Sequence, residues 1–275
     1  MTPVVDGQPA LGLPATDRGL AYGDGVFRTL VCRGGQLDWW PWQLQRLKRD
    51  CSALLLDCPT EGQWLAAIRL ALAGEQNAVL KLMVTRGSGQ RGYRFPEPAS
   101  YRWLVLPASL PDYPARWTSD GVVVRVCDIR LAHQPRLAGI KHLNRLENVL
   151  ARNEWQDPQI QEGVLLDSAG AVIEGTMSNL LLLSAGRLVT PSLQRCGVAG
   201  VMRDLLLLQA PRLGLQVEET DVSLGHLLAA EEVGLCNSLI GVWPVRQLGE
   251  RRWQGFSRLA ALRGLLAGSL QGKSV

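Results

Sequence analysis

The sequence predicts an α+β protein of two domains, in which mixed sheets are flanked by helices. Segments with alternating or continuous apolar residues, typical of strands, are interleaved with segments whose apolar residues recur every three or four positions, typical of helices. A proline-rich stretch without periodicity, "PDYPARWTSDG", divides the series, and 275 residues suffice for two modest domains. We therefore expect a smaller N-terminal α/β domain over 1–112, an interdomain linker over 113–120 and a larger C-terminal domain over 121–275.

The elements of the first domain follow from turn residues and apolar spacing. Gly34 and Gly35 separate two strand-like segments, which indicates a hairpin turn. Pro41 begins a helix, because proline is tolerated in the first helical turn. One face of this helix is expected to carry Leu44, Leu47, Cys51 and Leu54 or Leu55. A second helix, "EGQWLAAIRLALAG", and two strands, "AVLKLMVTRG" and "YRWLVLPASL", complete the domain.

The second domain begins with a strand, "VVVRVCDIRL", and continues into "AGIKHLNRLENVL". Asn144 and Glu147 have the spacing of an N-cap and the third helical residue, which predicts a capping-box variant at the start of a helix. The later elements are a meander, "GVLLDSAGAVIEGTMSNLLLLSAGRLVTP", a glycine loop entering a helix, "GVAGVMRDLLLLQAPRLG", a helix, "VSLGHLLAAEEV", a sheet-closing segment, "GLCNSLIGVWPVRQLG", and a final helix, "FSRLAALRGLLAGSL".

Composition excludes several classes of function. The formal net charge is +4, with no basic run or arm, which argues against a nucleic-acid partner. The six cysteines show neither C-x-x-C spacing nor histidine partners, so we expect reduced thiols in a cytoplasmic protein and no metal site. The N-terminus lacks the features of a signal peptide, and no apolar stretch is long enough to span a bilayer.

The stretch "GSGQRG", residues 87–92, matches the spacing of a dinucleotide-binding loop. That loop must be followed by a helix whose N-terminus faces the pyrophosphate. Here "YRFPEP" follows, and its two prolines exclude the helix. We therefore expect a flexible rim that carries Arg86 and Arg91, or a surface turn with solvated arginines.

Two ionisable residues stand in unusual surroundings. Lys141 follows the small apolar run Ala138–Ile140, where a lysine loses hydration, its pKa falls and its free amine is able to form an imine. Glu174, in "VIEGTMSN", lies inside a strand-rich meander, where a carboxylate needs a partner such as a protonated pyridine nitrogen. The structural alternatives are a lysine that extends to solvent at a helix start and a glutamate on an exposed edge strand.

Two further features suit a phosphate group. Gly197 and Gly200 leave backbone N–H groups open ahead of a helix, and Arg46 on the "LQRL" helix could bind the same dianion. Ser238 could add a hydroxyl. Together with Lys141 and Glu174 these features suit pyridoxal 5′-phosphate, so the larger domain is expected to bind the cofactor.

Several ordered motifs resemble one enzyme family almost from end to end of the chain. "LAYGDGVFRTL", "LQRL", "RGSGQRGY", "AGIKHLNRLENVL", "VIEGTMSN", "GVAGVMR" and "CNSL" are similar to the fold-type IV pyridoxal-phosphate enzymes, the class IV aminotransferase family with the D-amino-acid aminotransferase-like fold. The resemblance implies that Lys141 holds the cofactor as an aldimine and shuttles the proton, and that Glu174 pairs with the pyridine nitrogen. It assigns the phosphate to Arg46, Val201, Met202 and Ser238, with Asn237 beside them.

Within this family, "RGSGQRGY" and "GIKHLNRLENVL" look most like the lyase branch. That branch converts 4-amino-4-deoxychorismate to 4-aminobenzoate and pyruvate in folate biosynthesis, and the resemblance also implies a homodimer. The branched-chain enzymes carry a tyrosine where this chain has Leu146. The D-amino-acid enzymes trap the substrate carboxylate with a tyrosine, an arginine and a histidine, and this chain has Phe27, Arg91 and Tyr93 in those places.

The substrate of the lyase branch has two carboxylates, so a basic rim is expected around its pocket. Lys81 and Arg86 could equally be structural. A transaminase on the same fold and a cofactor-free binding protein are the alternatives. The candidate substrate-binding residues are Arg28, Thr29, Arg91, Tyr93 and His142.

Overall fold

The structure is a computed structural model that describes residues 1–268 and 273–275, and its contacts divide the chain into two compact units. The first unit contains Met1–Pro111, Ile140–Asn144 and the described end of the chain. The second contains Asp112–Gly139 and 145–268. The sequence did not anticipate that the segment 140–144 and the chain end belong with the first unit.

Both units combine strands and helices, and the predicted α+β class is confirmed. The described helices are α1 (Arg18–Tyr22), α2 (Trp40–Ala53), α3 (Glu61–Leu72), α4 (Arg116–Ser119), α5 (Leu146–Arg152), α6 (Val201–Gln209), α7 (Leu224–Ala229) and α8 (Ser257–Gly268). The described strands are β1 (Val4–Val5), β2 (Gln8–Pro9), β3 (Gly25–Arg33), β4 (Gln36–Leu37), β5 (Ala78–Thr85), β6 (Arg102–Ala108), β7 (Val122–Leu131), β8 (Glu162–Asp167), β9 (Val172–Gly175), β10 (Asn179–Ser184), β11 (Arg187–Pro191), β12 (Gln216–Thr220), β13 (Glu232–Asn237), β14 (Gly241–Leu248), β15 (Arg251–Arg252) and β16 (Lys273–Ser274).

The first unit is built on a sheet whose described strands follow the order β16-β4-β3-β5-β6-β1-β2. All pairings among these described strands are antiparallel, whereas the sequence predicted mixed sheets. The predicted hairpin is confirmed, because β3 and β4 pair across Gly34 and Gly35. Both glycines have positive φ, a backbone region that side chains disfavour.

Helices α2 and α3 pack their apolar faces into the core of the first unit. Pro41 lies in the first turn of α2, and the predicted stripe is buried as far as Cys51. Leu55 lies beyond the helix and is exposed, so its assignment to the stripe is wrong. Helix α3 begins with a capping box between Thr60 and Gln63, an arrangement that contributes about 1 kcal/mol.

The second unit contains a mixed sheet, as predicted, with the described strand order β12-β11-β10-β13-β14-β7-β8-β9 and β15 paired to β14. Its parallel pairs are β11–β12, β14–β7 and β7–β8. The two Ser-Ala-Gly sequences form the turns between β8 and β9 and between β10 and β11. The core lies against continuously apolar strands such as β10, whose residues Leu180–Leu183 are fully buried.

The predicted linker is partly helical, because α4 occupies 116–119. The aromatic rings of Tyr113 and Trp117 pack against Trp243 on β14, with centroid separations of 4.9 and 5.0 Å. This stretch is therefore fixed to the second unit by aromatic contacts.

Two features of the second unit depart from the sequence prediction. The segment predicted as one helix over "VSLGHLLAAEEV" ends at Ala229, and Glu232 begins strand β13. The Glu232 carboxylate accepts hydrogen bonds from the N–H groups of Arg258 and Leu259 at the start of α8, which holds it away from a helical path. Strand β12 was missed, because its largely exposed residues lack an apolar pattern.

No described helix is long and apolar enough to cross a membrane.

Candidate active site

Lys141 lies in an irregular segment that pairs with the start of β3. The carbonyl oxygen of Lys141 accepts a hydrogen bond from the N–H of Phe27 at 2.9 Å, and the N–H of Leu143 donates to the carbonyl of Gly25 at 2.9 Å. Ile140, just before the lysine, is buried in the core of the first unit. The main chain of Lys141 is therefore fixed by a strand and an apolar anchor rather than by a helix.

The capping box predicted after the lysine is wrong. Helix α5 begins at Leu146, with Arg145 as its N-cap and no side-chain capping bond. The amide of Asn144 donates to the carbonyl of Gly23 at 3.4 Å, and the carboxylate of Glu147 accepts from the N–H of Ala132 at 2.8 Å. Both side chains that the local pattern assigned to the helix start instead form hydrogen bonds with segments distant in sequence.

The ammonium group of Lys141 lies over an aromatic ring, 4.8 Å from the ring centroid of Phe27. The Nζ atom of Lys81 lies 4.5 Å from the same centroid, and burial lowers the pKa of Lys81. Lys141 itself is half-buried. The arrangement agrees with the expectation that this lysine has lost hydration, although the lowered pKa predicted for Lys141 stays a prediction.

A buried ion pair lies against the same segment. The Asp50 carboxylate of α2 accepts a hydrogen bond from Arg28 Nε of β3 at 2.7 Å, Arg28 Nη2 lies 2.5 Å from the same oxygen, and both side chains are under 5% exposed. The N–H of Lys141 also reaches Asp50 Oδ2, at 3.4 Å. Burial raises the pKa of Asp50, and the charges of Arg28 and Arg46 oppose that rise. Sequence reasoning missed Asp50, although it follows Arg46 by one helical turn.

Glu174 lies at the inner end of the meander, on β9, and is only 3% exposed. Its Oε2 atom accepts a hydrogen bond from the N–H of Val198 at 2.8 Å. The structural alternative of an exposed edge-strand glutamate is therefore wrong. A carboxylate held at this depth is suited to binding a cationic group.

The loop that follows Glu174 is organised by a second buried carboxylate, Glu162 of β8, which sequence reasoning also missed. Glu162 accepts the backbone N–H groups of Gly163, Thr176 and Met177 and the hydroxyls of Thr176 and Ser178. Burial raises its pKa, and these donors oppose the rise. Two carboxylates therefore support "EGTMSN": Glu174 at its start and Glu162 behind it.

The glycine loop ahead of α6 is held open by reciprocal backbone contacts. The N–H of Gly139 donates to the carbonyl of Gly197 at 2.9 Å, and both residues have positive φ. Asn179 fastens the loop from β10, donating to Val198 and accepting from Gly200. A Cβ at Gly200 would lie 2.3 Å from Asn179 Oδ1, so a side chain there would displace the Asn179 amide that holds the loop.

Helix α6 begins directly after this loop, and no side chain caps its N-terminus. Its first residues, Val201 and Met202, are both buried. An uncapped N-terminus behind a glycine loop is suited to an anion such as a phosphate.

Asn237 and Ser238 lie in the turn after β13. The Asn237 side chain accepts from the N–H groups of Leu239 and Ile240 and donates to the carbonyl of Met177 at 3.0 Å. Asn237 therefore joins this turn to the loop that carries Glu174. Ser238 is half-buried.

The loop predicted as a flexible rim is anchored at its base. The Arg86 guanidinium is buried, pairs with Asp24 and donates to the carbonyls of Leu54 and Leu55, so the alternative of a solvated Arg86 is wrong and the structural role that the sequence also allowed is confirmed. Arg18 pairs with the same aspartate and donates to the carbonyls of Gly92 and Tyr93. No helix occurs over 86–101, as the two prolines after the loop predict.

The predicted substrate-binding residues differ in exposure within the first unit. Arg91 and Tyr93 are exposed on the anchored loop, whereas Thr29 of β3 and His142, which pairs with Val26 of the same strand, are half-buried. Arg28 is paired with Asp50. The structure tests none of these substrate contacts, and they stay predictions.

Each unit by itself carries groups suited to one chemical feature of a phosphorylated aldehyde with a basic ring nitrogen. The first unit offers an amine on a fixed main chain, and the second offers a buried carboxylate and an uncapped helix N-terminus behind glycines. Within the described residues, no group of three or more His, Cys, Asp or Glu side chains could hold a metal ion.

Comparisons with known proteins agree with this donor set. Residues 25–248 match the Amino-transferase class IV family. The chain is 37% identical over 247 residues to the aminodeoxychorismate lyase of Vibrio harveyi, covering 88% of this chain and 89% of that protein. The crystal structure of 4-amino-4-deoxychorismate lyase from Pseudomonas aeruginosa has 46% identity and a TM-score of 0.93, covering 98% of this chain and 99% of that one. A D-alanine aminotransferase of Listeria monocytogenes is 27% identical, covering 84% and 81%.

Proposed function

Because this chain belongs to the class IV aminotransferase family, we propose that it is an aminodeoxychorismate lyase that uses pyridoxal 5′-phosphate. The reaction converts 4-amino-4-deoxychorismate to 4-aminobenzoate and pyruvate. The observation that carries the proposal is the near full-length identity of 37% and 46% to two proteins named for this activity, against 27% to a D-alanine aminotransferase. The cofactor supplies an aldehyde that condenses with amines and a cationic ring that withdraws electrons.

Lys141 is proposed as the amine that holds the cofactor aldehyde and then acts as the base. Its carbonyl oxygen is bound by the N–H of Phe27, and the Phe27 ring lies beneath its Nζ. The ring keeps water from that side of the amine, although its face also attracts the charged form. As a free amine, Nζ would take the proton from C4 of the substrate. Loss of that proton and of the enolpyruvyl group leaves an aromatic ring, and the released enolate becomes pyruvate by taking up a proton at its methylene carbon.

Glu174 is proposed to hold a proton on the ring nitrogen of the cofactor. The glutamate is buried and has one oxygen fixed by the N–H of Val198, so its position is set before any ligand arrives. A buried carboxylate favours the cationic form of a nitrogen that it contacts. The ring is thereby kept in its electron-withdrawing state.

The phosphate is proposed to bind at the N-terminus of α6. The N–H groups of Val201 and Met202 are suited to donate hydrogen bonds to it, with Arg46 supplying charge and Ser238 a hydroxyl. Asn237 is proposed to act by shaping this turn, because its side chain already binds three backbone groups.

The two carboxylates of the substrate call for cationic partners. Arg91 is proposed as one of them, because it is exposed on a loop whose base is held by Arg18 and Arg86. Thr29, Tyr93 and His142 are proposed to line the pocket. A substrate role for Arg28 would require it to leave or share Asp50.

Incubation with 4-amino-4-deoxychorismate tests the proposal directly. Fluorescence should report 4-aminobenzoate, and a coupled dehydrogenase assay should report an equal amount of pyruvate. Lys141→Ala should abolish both products and the borohydride-reducible link to the cofactor, whereas Lys48→Ala, at an exposed site on α2, should retain them. Turnover by Lys141→Ala at the wild-type rate would refute the assignment. Reversible amino transfer between amino and keto acids, without 4-aminobenzoate, would instead establish the transaminase alternative.

A second copy of the chain is proposed to cover the exposed face of α5. Leu146, Val149 and Leu150 share one helical face and are 74%, 52% and 58% exposed. Asn148 of the same helix donates to the carbonyl of Thr176, beside the exposed Met177. A contiguous apolar surface of this kind indicates a protein interface, and two-fold homodimers are the commonest assembly.

Sedimentation velocity tests this homodimer. Leu146→Glu combined with Leu150→Glu should convert a dimer into a monomer, because two charges cannot be buried there without partners. Leu208→Glu, at an isolated exposed leucine of α6, is the matched control and should leave the dimer intact. A wild-type monomer would refute this part of the proposal.

The cytoplasm is proposed as the site of action, and free cysteines agree with that compartment.

A further inference from the structure

Strand β3 binds the carbonyl group of Lys141, and the Asp50 carboxylate binds its N–H group. The Lys141 carbonyl is bound by the N–H of Phe27 at 2.9 Å, and the Lys141 N–H points to Asp50 Oδ2 at 3.4 Å. The two peptide groups next to the lysine are thus bound by two different elements, β3 and α2. An irregular segment has no helical or sheet ladder of its own, so these contacts determine where the side chain begins.

Arg28 fixes the carboxylate in turn. Its Nε and Nη2 atoms both bind Asp50 Oδ2, at 2.7 and 2.5 Å, and the pair is almost completely buried. Both contacts reach the same carboxylate oxygen, and a planar guanidinium orients that oxygen more strongly than a lysine ammonium would. A buried pair of this kind is weak as a source of stability and is better suited to fixing geometry.

We propose that Asp50, held by Arg28, is a positioning residue that sets the reach and orientation of the Lys141 amine. The inference rests on the proposed function, in which this amine forms the covalent link to the cofactor. Asp50 contacts neither the cofactor nor the substrate in this role and acts only through the Lys141 main chain. Small displacements of a reacting group are known to reduce rates by about a hundredfold.

The rate at which Lys141 links to pyridoxal 5′-phosphate measures this role without any turnover. Stopped-flow absorbance after mixing the apoprotein with the cofactor should show that Asp50→Asn slows the reaction at least about tenfold. The matched control is Asp38→Asn, which breaks another buried aspartate's pair with an arginine of β3, Arg33, at the opposite end of the strand. That variant should react at the wild-type rate.

A double-mutant comparison separates positioning from support of the cofactor site. In the Lys141→Ala background, Asp50→Asn should change the affinity for free pyridoxal 5′-phosphate less than about twofold, because the amine that Asp50 orients is absent. If Asp50 instead supports Arg46 or the fold, affinity falls equally in both backgrounds, and the inference is overturned.

A second variant addresses loss of folding. Arg28→Met combined with Asp50→Leu replaces the ion pair by apolar side chains of similar size, a change that buried pairs often tolerate. This protein should fold and still link slowly to the cofactor. Linkage at the wild-type rate in this variant, or in Asp50→Asn, would overturn the inference. If the wild-type protein forms no link at all, the proposed function has failed first.

Discussion

Glu162→Gln is predicted to lower the stability of the protein strongly, because it removes an acceptor from several buried donors. The Glu162 carboxylate is buried and accepts five hydrogen bonds, three from backbone N–H groups and two from the hydroxyls of Thr176 and Ser178. Glutamine keeps one carbonyl oxygen and places an NH₂ group where donors already point. At least two of the five donors must then lose their acceptor.

The magnitude follows from the burial of these donors. A buried donor without an acceptor costs about 1–3 kcal/mol, so two such donors cost about 2–6 kcal/mol of unfolding free energy. For a chain of this size that corresponds to a fall in Tm of roughly 5–20 °C. The loop between Glu174 and Asn179 should loosen as well, and cofactor affinity should fall with it.

Urea denaturation and calorimetry of the apoprotein measure the effect. Glu231→Gln is the matched control, because that glutamate also accepts a backbone N–H, from Ala185, but is exposed. The control should change stability by less than about 0.5 kcal/mol. If Glu162→Gln unfolds within about 1 kcal/mol of the wild type, the reasoning about orphaned donors is refuted.

The other predictions concern Glu174, Asp167 and Cys58. Glu174→Gln should still link to the cofactor but form 4-aminobenzoate at least about a hundredfold more slowly, because a neutral partner does not hold the ring proton; an unchanged kcat would remove Glu174 from the mechanism. Burial raises the pKa of Asp167, but hydrogen bonds from His133 and two backbone N–H groups outweigh it and bring the pKa below the ordinary 3.8. The Asp167 carboxylate therefore contributes to stability above its ordinary pKa, and this contribution is lost as the pH falls through the pKa of the folded state. Between about pH 5 and pH 2, the urea midpoint of Asp167→Asn should fall less steeply than that of the wild type. Parallel curves would contradict this. The hydrogen bond with Cys51 lowers the pKa of Cys58, whereas burial raises the pKa of Cys127, Cys196 and Cys236 to about 12. Iodoacetamide at neutral pH should therefore modify Cys58 first, as read by peptide mass spectrometry, and faster labelling at another cysteine would refute the assignment.

Local patterns were reliable where the deciding forces are local. Pro41, Gly34 and Gly35 marked a helix start and a hairpin correctly, because φ preferences act within a few residues. The apolar strands and their Ser-Ala-Gly turns were also found. The capping box at Asn144 failed, because its two side chains bind segments distant in sequence.

The candidate site divides in the same way. Lys141 and Glu174 stood out because a charged residue among small apolar neighbours is unusual in sequence as well as in space. Asp50 and Glu162 gave no such signal. Asp50 resembles any polar residue on a helix until Arg28, 22 positions away, and Lys141, 91 positions away, are brought to it.

The sequence alone therefore determined the fold class, the ordered motifs and the two residues whose chemistry is most specific. Only the tertiary structure decided that Ile140–Asn144 belongs with the first unit and that buried carboxylates support both the lysine segment and the Glu174 loop. The physical reason is that periodicity and turn preferences are set by neighbours along the chain, whereas a buried charge is stabilised by whichever donors folding brings within about 3 Å of it.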